Sequence, residues 1–284
     1  MTAQHLLSTE DLVSGYGATR IVDGIDLQFP AGGISVIVGA NACGKSTLLK
    51  TIARLLPTQE GAVVLDGKRI DRIPTKELAR TLGLLPQQPV APEGIVVADL
   101  VGRGRHPHQK LFRSWTADDD RAVTEALTAT GVLELADRAV DELSGGQRQR
   151  VWIAMALAQE TDVLLLDEPT TFLDVSHQIE VLDLLTDLNA TRGTTIVMVL
   201  HDINLAARYA DALFALKKGR LIASGAPADI VTSELVRDVF ELDSLVIDDP
   251  VSGAPMVLPR GRHHVRPEPS SSPTPSPATA GADR

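Results

Sequence analysis

The sequence is poor in several features, and each absence narrows what the protein can be. It has 284 residues and a single cysteine, Cys43, so no disulfide can form within the chain and nothing indicates an oxidising compartment. Its 37 acidic and 27 basic residues give a formal net charge of −10, and no basic run is long enough to follow a nucleic-acid backbone. We therefore expect a cytosolic protein that does not bind nucleic acid.

Long apolar runs are also missing. Residues 1–5 lack a charged region followed by an apolar core, and no later run approaches the ~20 residues that span a bilayer. Any contact with a membrane is therefore expected to be peripheral. A chain of 284 residues can still bury a substantial core, as one large α/β domain or as one domain with an inserted subdomain.

The most informative stretch is a glycine-containing loop, residues 39–47, which lies between two apolar segments. Its sequence, GANACGKST, fits the pattern G-x-x-x-x-G-K-[ST] and predicts a strand, a loop and a helix. Backbone N–H groups of such a loop surround phosphate oxygens, because they have no partner within the helix. Lys45 adds positive charge toward the β- and γ-phosphates, and Ser46 offers a hydroxyl to Mg²⁺. The predicted nucleotide-binding residues of the loop are Gly39, Asn41, Ala42, Cys43, Gly44, Lys45, Ser46 and Thr47.

Two carboxylates follow a continuous apolar run. Asp167 and Glu168 come directly after residues 163–166, as expected at the end of a strand that is covered on both faces. Ligand sites in parallel sheets lie at such strand ends. Asp167 is therefore predicted to hold the water shell of Mg²⁺, and Glu168 to orient or deprotonate the water that attacks a γ-phosphate. Merely solvated carboxylates are the alternative, which the phosphate loop in the same chain disfavours.

Three further positions are less specific when each is taken alone. Gln87 follows an apolar stretch, and a glutamine at a strand end is commonly just solvated. His201 follows another apolar run, where an imidazole can hydrogen-bond a γ-phosphate or hold the attacking water, although a structural role is the ordinary alternative. Tyr16 precedes the phosphate loop and either stacks on an adenine base or is a half-buried strand tyrosine.

Residues 143–147, with the sequence LSGGQ, open a predicted helix that has apolar residues on one face. Ser144 resembles an N-cap, and Gly145 and Gly146 leave backbone N–H groups open to an anion. An ordinary capped helix has the same short pattern. The interpretation therefore depends on the rest of the chain.

The periodicity of the sequence divides the chain into regions. Residues 6–29 are expected to form antiparallel strands, and a helix is predicted over residues 46–56. From residue 88 to about residue 160, apolar residues at helical spacing predict an inserted α-helical subdomain. Within it the sequence GRGRHPH, residues 102–108, is interpreted as a polar surface loop rather than a metal site, since no further ligands occur at regular spacing. Residues 260–284, rich in Pro, Ser, Thr and Ala, are predicted to be a disordered tail.

In their order and spacing, these motifs resemble those of an ABC transporter nucleotide-binding subunit. The resemblance covers about residues 6–259, and the domain it implies is an ABC ATPase domain over residues 1–259. The fold it implies is α/β, with a phosphate-loop NTPase core around a mainly parallel sheet, an N-terminal antiparallel β subdomain and an inserted α-helical subdomain. The motifs that carry the resemblance are residues 39–47, Gln87, residues 143–147, Asp167, Glu168 and His201.

The resemblance also implies roles for individual residues. By this likeness Tyr16 stacks on adenine, Gln87 senses Mg²⁺ and the permease, and His201 is the switch residue. Asp174, with Leu173, belongs to the loop that crosses the dimer. The implied activity is ATP hydrolysis coupled to transport, with ATP and Mg²⁺ as cofactors. The implied catalytic residues are Glu168, His201 and Gln87, and the implied metal ligands, partly through water, are Ser46, Gln87 and Asp167.

The chain has one phosphate loop and one LSGGQ sequence, and in the family the latter completes the nucleotide site of a second subunit. A head-to-tail dimer is therefore implied, in which Ser144, Gly145, Gly146 and Gln147 of one copy close the site of the other. Integral-membrane permease subunits are further implied partners, which places the protein peripherally on the cytoplasmic face of the cell membrane. An extracytoplasmic substrate-binding protein is an indirect partner.

Four segments narrow the resemblance to the ATPases of ferric-siderophore importers, with the ferric enterobactin type nearest. They are residues 102–109, 176–180, 200–204 and 247–250. A haem or vitamin B12 importer fits nearly as well. An ABC-type switch without transport and a small-molecule kinase are further alternatives. The first commonly has tandem cassettes or a long coiled-coil insertion, and the second leaves the LSGGQ sequence unexplained.

The phosphate loop departs from the family pattern at two positions. The family usually has proline where Ala40 stands and glycine where Ala42 stands. If position 42 requires a positive φ, an alanine there is strained by roughly 1 kcal/mol or more. Otherwise the loop is slightly displaced or uses an ordinary φ. ATP binding is expected to survive, with an altered affinity as the open question.

Overall fold

The computed structural model describes residues 5–109 and 115–263, so the predicted tail lies outside the described residues from residue 264 onward. The strands in the described ranges are β1 (Leu7–Tyr16), β2 (Thr19–Phe29), β3 (Ile34–Gly39), β4 (Thr58–Leu65), β5 (Lys68–Arg69), β6 (Leu82–Leu85), β7 (Val163–Asp167), β8 (Thr195–Val199), β9 (Ala212–Lys217), β10 (Arg220–Gly225), β11 (Ser244–Asp248) and β12 (Pro255–Pro259). The helices are α1 (Lys45–Ile52), α2 (Thr75–Thr81), α3 (Val97–Gly102), α4 (Ala117–Ala129), α5 (Gly145–Ala158), α6 (Val175–Arg192), α7 (Ile203–Tyr209), α8 (Pro227–Ile230) and α9 (Ser233–Phe240). Among these helices, none has both the length and the apolar character that a membrane span needs.

Two large sheets form the body of the fold. A six-stranded sheet has the order β10-β9-β3-β8-β7-β6 and is parallel except for the antiparallel edge strand β10. A four-stranded sheet has the order β2-β1-β4-β5 and is antiparallel. This arrangement confirms the predicted α/β fold with a mainly parallel sheet and an N-terminal antiparallel sheet.

The strands of the parallel sheet are apolar because both of its faces are covered. All residues of β3, β7 and β8 are buried. Along β3, Val36 and Val38 belong to the hydrophobic cluster that contains Leu182 of α6, whereas Ile37 belongs to the cluster that contains Leu48 of α1. Such alternation is expected of a strand between two layers. Because β3, β7 and β8 are parallel, their carboxyl ends lie at one edge of the sheet.

The predicted helical region from residue 88 to about residue 160 contains α3, α4 and α5, which pack on one another. Its division from the rest of the chain as a subdomain stays a prediction. Thr116 begins α4 with a capping box, in which its hydroxyl accepts from the Asp119 backbone N–H and the Asp119 side chain accepts in return. Ser144 and Gln147 begin α5 in the same way. The predicted N-cap role of Ser144 is therefore confirmed.

The interpretation of residues 102–108 as a polar surface loop is wrong for Arg105, which is only 4% exposed. Its guanidinium donates to Asp119 Oδ1 at 2.9 Å, to Ala158 O at 2.8 Å and to Glu160 Oε2 at 2.8 Å. These acceptors come from the start of α4 and the end of α5. A buried arginine needs such partners, so Arg105 anchors this segment to α4 and to the end of α5.

The same segment also contacts the ends of α5 and α2. His108 Nε2 lies 2.7 Å from Gln159 O, just beyond the last residue of α5, where carbonyl groups lack partners within a helix. Arg80 Nε of α2 donates to Pro107 O at 2.8 Å. Residues 102–108 therefore join the helical region to α2.

Two other elements differ from the sequence-based expectations. The first helix ends at Ile52 instead of residue 56, because Arg54 has a φ of 57°, which lies outside the helical region. The hairpin of β11 and β12, which the periodicity did not predict, forms a separate two-stranded sheet. Val257 of β12 packs into the main hydrophobic cluster, so the hairpin belongs to the body of the fold.

We expect the Arg105→Ala substitution to lower the free energy of unfolding by about 3–5 kcal/mol, because Asp119 would stay buried without its counter-charge. Urea unfolding followed by circular dichroism measures this loss. The matched control is Arg121→Ala, which removes exposed ion pairs with Glu125 and Glu160 and should lower stability much less. Equal losses in the two variants would contradict a buried role for Arg105.

Candidate functional site

The loop between β3 and α1 has a conformation that requires glycine at two positions. Gly39 has a φ of 153° and Gly44, the N-cap of α1, has a φ of 106°. A Cβ at Gly39 would lie 2.3 Å from Leu216 O, and one at Gly44 would lie 3.1 Å from Ile21 O. Neighbouring strands therefore approach the loop too closely for a side chain.

Lys45 is 5% exposed, and its ammonium group turns back toward the loop. Nζ donates to Gly39 O at 2.8 Å and to Ala40 O at 3.1 Å. An ammonium has three N–H donors, and the remaining contact is the weak acceptor Cys43 Sγ at 4.0 Å. A phosphate oxygen in the loop would be a much better partner. Lys45 is thus held at the loop by two carbonyl groups, and its third N–H donor faces only a weak acceptor.

Ala42 has a φ of 60°, so the left-handed backbone is kept although the residue is not glycine. For an L-residue with a Cβ this conformation costs roughly 1–2 kcal/mol. Ala40, by contrast, is not among the positive-φ residues of the described chain. The structure therefore shows a strained alanine at position 42, and not an ordinary φ.

Ser46 and Asp167 meet where β7 ends. Ser46 Oγ donates to Asp167 Oδ1 at 2.9 Å. Asp167 is 2% exposed, and among the described residues its other oxygen, Oδ2, has no hydrogen-bond partner. The pKa of Asp167 is raised, mainly by burial. The hydrogen bond from Ser46 acts in the opposite direction and lowers the pKa. A hydroxyl beside a buried carboxylate oxygen without a partner is a donor set that fits Mg²⁺.

Glu168 is 7% exposed and has three contacts from three different elements. His201 Nε2 lies 2.6 Å from Oε1, and Gln87 Nε2 donates to Oε2 at 2.7 Å. Thr171 Oγ1 also donates to Oε2, at 3.2 Å. The structure thus brings the predicted residues Gln87, Glu168 and His201 together at the ends of β6, β7 and β8. Thr171 was not predicted, and its only sequence signal is its place three residues after Glu168.

A cavity of about 510 Å³ opens beside these groups. Tyr16, the last residue of β1, is 54% exposed and stands in its wall, and its stacking role stays a prediction. Ile21 of β2 also lines the cavity, and nothing in the chemistry of an isoleucine could have indicated this from the sequence. The predicted site residues that line the cavity are Tyr16, Asn41, Ala42, Cys43, Gly44, Lys45, Ser46, Thr47, Gln87, Glu168 and His201.

The LSGGQ residues and Asp174 do not line this cavity. Ser144 Oγ and the Gln147 side chain are engaged in the cap of α5. Asp174 caps α6, and the His177 backbone N–H, followed by the Ser176 hydroxyl, lowers the pKa of Asp174 to about 2. Within one chain these groups therefore belong to other parts of the surface.

One contact that the sequence did not predict links α5 to the turn after β7. Gln149 Nε2 donates to Pro169 O at 2.9 Å, directly after Glu168 in the chain. Leu173 lies against Gly146, where an added Cβ would be 3.5 Å from the leucine. The start of α5 and the loop after β7 are thus packed together.

The chain is similar to known proteins along most of its length. The sequence profile described as "ABC transporter" matches residues 22–171. The achromobactin transport ATP-binding protein CbrD of Dickeya dadantii (strain 3937) is 54% identical over 256 residues, which is 90% of this chain and 95% of that protein. The ferric enterobactin transport ATP-binding protein FepC of Escherichia coli (strain K12) is 52% identical over 256 residues, which is 90% of this chain and 94% of that protein. Among solved structures, the dimeric structure of MJ0796, a bacterial ABC transporter cassette, matches with a TM-score of 0.70 and 27% identity, covering 78% of this chain and 98% of that chain.

We expect the Ala42→Gly substitution to raise the free energy of unfolding by about 0.5–1 kcal/mol, because glycine relieves the strain of the left-handed backbone. Urea unfolding of the two proteins measures the difference. Ala40→Gly is the matched control in the same loop, and it should leave stability unchanged or lower it, since glycine only adds freedom to the unfolded chain. A lower stability for Ala42→Gly would show that position 42 is not strained.

Proposed function

Because this chain belongs to the ABC transporter family, we propose that it is the ATPase subunit that powers import of a ferric siderophore through a membrane permease. The observation that carries the proposal is the arrangement at one cavity of a phosphate loop with Lys45, the Ser46–Asp167 pair, and Glu168 between Gln87 and His201. The substrate class is supported by the names of two relatives that are at least 52% identical, the achromobactin and ferric enterobactin transport proteins.

In this proposal residues 39–47 hold the phosphates of ATP. Backbone N–H groups at the start of α1 and the spare donor capacity of Lys45 face the phosphate oxygens. Tyr16, in the wall of the same cavity, stacks on the adenine. Ser46 and Asp167 would hold Mg²⁺, with Gln87 contributing through water, and the ion would neutralise charge on the β- and γ-phosphates.

Glu168 is the group proposed to orient or deprotonate the attacking water. In the structure both of its oxygens are occupied, Oε1 by His201 and Oε2 by Gln87 and Thr171. A water that is to be held by Glu168 must therefore share or replace one of these contacts. We infer that ATP draws His201 or Gln87 toward the γ-phosphate and so frees one oxygen of Glu168 for the water.

A second copy of the chain would complete the site. Residues 144–147 lie outside the cavity, and MJ0796, which covers 78% of this chain in the structural match, is described as dimeric. Phe172 and Val175 flank Asp174 and are 78% and 76% exposed, which is the kind of apolar surface that an interface covers. We propose a head-to-tail dimer in which Ser144 to Gln147 of one copy close the nucleotide site of the other, with Asp174 at the crossing.

The remaining partners follow from the transport proposal. Integral-membrane permease subunits would bind the chain peripherally at the cytoplasmic face of the membrane, and an extracytoplasmic substrate-binding protein would act indirectly. The ATPase domain would extend over residues 1–259, and the helical region from residue 88 to about residue 160 would pass the motion of the dimer to the permease. Hydrolysis would release the two copies by changing the charge between them.

We expect Glu168→Gln to reduce ATP hydrolysis to below about 1% of the wild-type rate, because the amide cannot accept a proton from water. Dimers that form only with ATP should persist, since the phosphate-binding groups are intact. Phosphate release measures the first effect, and light scattering with and without ATP measures the second. Glu234→Gln, an exposed glutamate of α9 away from the cavity, is the control and should hydrolyse ATP normally. Full hydrolysis by Glu168→Gln would overturn the catalytic assignment.

Uptake by cells tests the transport function. A strain that lacks this protein should lose ATP-dependent uptake of a labelled ferric siderophore, and the wild-type gene, but not the Glu168→Gln variant, should restore it. Parallel uptake of haem and of vitamin B12 distinguishes the alternative importers. Siderophore uptake that continues in the deleted strain would contradict the proposal. Co-purification with a multispanning permease separates a transport subunit from a nucleotide-gated switch without transport.

A further inference from the structure

Helix α7 contacts the hairpin of β11 and β12, although the two are far apart in the sequence. The two segments concerned do not line the catalytic cavity. They are residues 203–204, at the start of α7, and residues 249–250, in the loop between β11 and β12. The helix begins directly after His201 and Asp202, and the Asp202 side chain caps it by accepting from the backbone N–H of Asn204 at 2.7 Å. The position of His201 is therefore tied to the N-terminal end of α7.

The side chain of Asn204 pairs with the backbone of β12. Asn204 Oδ1 accepts from Val257 N at 2.7 Å, and Asn204 Nδ2 donates to Val257 O at 3.1 Å. The amide thus replaces the neighbouring strand that β12 lacks on one side, since β11 is its only partner in the sheet formed by the described residues. Val257 is 2% exposed, so water cannot easily take the place of the amide.

One helical turn later, a second contact joins the same two elements. Arg208 donates to Asp249 Oδ2 at 2.5 Å, and residues four apart lie on the same face of a helix. Asp249 is 7% exposed and is fixed by the Ser252 hydroxyl at 2.6 Å and by the Val251 backbone N–H at 3.0 Å. The hairpin therefore holds α7 at two points along its length.

The other end of this connection is the catalytic glutamate. His201 Nε2 lies 2.6 Å from Glu168 Oε1, and the His201 side chain is 47% exposed. Because surrounding side chains cover only about half of the imidazole, its direction depends largely on the backbone from which it extends. That backbone leads directly into α7.

We propose that the β11–β12 hairpin is a positioning element for ATP hydrolysis, in which Asn204 and Arg208 lock α7 to the hairpin and thereby hold His201 at Glu168. The inference rests on the proposed function. Asn204, Arg208 and Asp249 touch no reacting group and are positioning residues. The family profile ends at residue 171, so this device lies in a part of the chain that the profile does not cover.

The test uses the full chain with the Asn204→Ala substitution. We expect kcat for ATP hydrolysis to fall roughly 10-fold while KM stays within about 2-fold, because the substitution misplaces a group at the reacting end without touching the phosphate loop. A purely structural loss of folded protein would instead lower the active fraction, which circular dichroism and active-site titration with nucleotide reveal.

A double-mutant comparison identifies the residue through which Asn204 acts. In single-turnover measurements, adding Asn204→Ala to His201→Ala should cause no further loss, since the histidine to be positioned is already gone. Imidazole ¹⁵N spectra provide an independent readout, in which the His201 signals, assigned by their absence in His201→Ala, should shift in Asn204→Ala. Additive losses together with unshifted His201 signals would overturn the proposal.

Two further variants keep the test decisive. Asp249→Asn changes the hairpin side of the contact. It retains the shape of the residue and weakens the contact with Arg208. It should therefore reproduce the fall in kcat even if Asn204→Ala does not fold. Arg237→Ala is the control, because Arg237 pairs with Asp243 at the junction of α9 and β11 at 2.9 Å and should leave kcat unchanged. If the wild type hydrolyses ATP and both Asn204→Ala and Asp249→Asn equal it, only this inference fails. A wild type without ATPase activity would instead refute the proposed function.

Discussion

Two adjacent carboxylates buried at the end of one strand are the constraint on which the rest of the site depends. Asp167 and Glu168 are 2% and 7% exposed, and buried carboxylates are costly unless hydrogen-bond donors reach them. Donors to Glu168 come from the ends of the neighbouring strands and from its own turn, and the donor to Asp167 comes from α1. The only oxygen of the pair without a partner among the described residues is Asp167 Oδ2, whereas Oδ1 accepts from Ser46. The need for partners therefore draws Gln87, Thr171 and His201 to Glu168, and Ser46 to Asp167.

The same contacts make the site sensitive to motion elsewhere. Gln87 leads from β6 into the helical region, and Gln149 connects the start of α5 to Pro169, next to Glu168. His201 leads into α7 and from there to the hairpin of β11 and β12. Gln87 and His201, which both contact Glu168, thus belong to segments that continue into other elements of the protein. A ligand that changes which donor contacts Glu168 would bias the position of that element, which is how a local charge change reaches a distant interface.

Three of the nine non-glycine residues with a positive φ in the described ranges lie in the same part of the molecule. Ala42, Glu168 and Phe172 have φ values of 60°, 56° and 67°, although none of them is glycine. Left-handed residues of this kind persist only where the surrounding structure determines them, and they are enriched at ligand sites and switches. Here they lie in the phosphate loop and in the turn that carries Glu168 toward Asp174. The strain at Ala42 shows that the loop keeps its conformation even where the residue does not favour it.

The sequence by itself determined the phosphate loop, the strand with its two carboxylates, the capped start of α5 and the mainly parallel sheet. Each of these depends on a local pattern: a fixed glycine spacing, an apolar run or a cap residue. Only the tertiary structure decided that Ile21 lines the cavity, that Arg105 is buried and that β12 pairs with Asn204. Those contacts join residues that are distant in the chain, and their side chains have ordinary surface or core chemistry. No periodicity or spacing marks such a residue, because its environment exists only after the elements have packed.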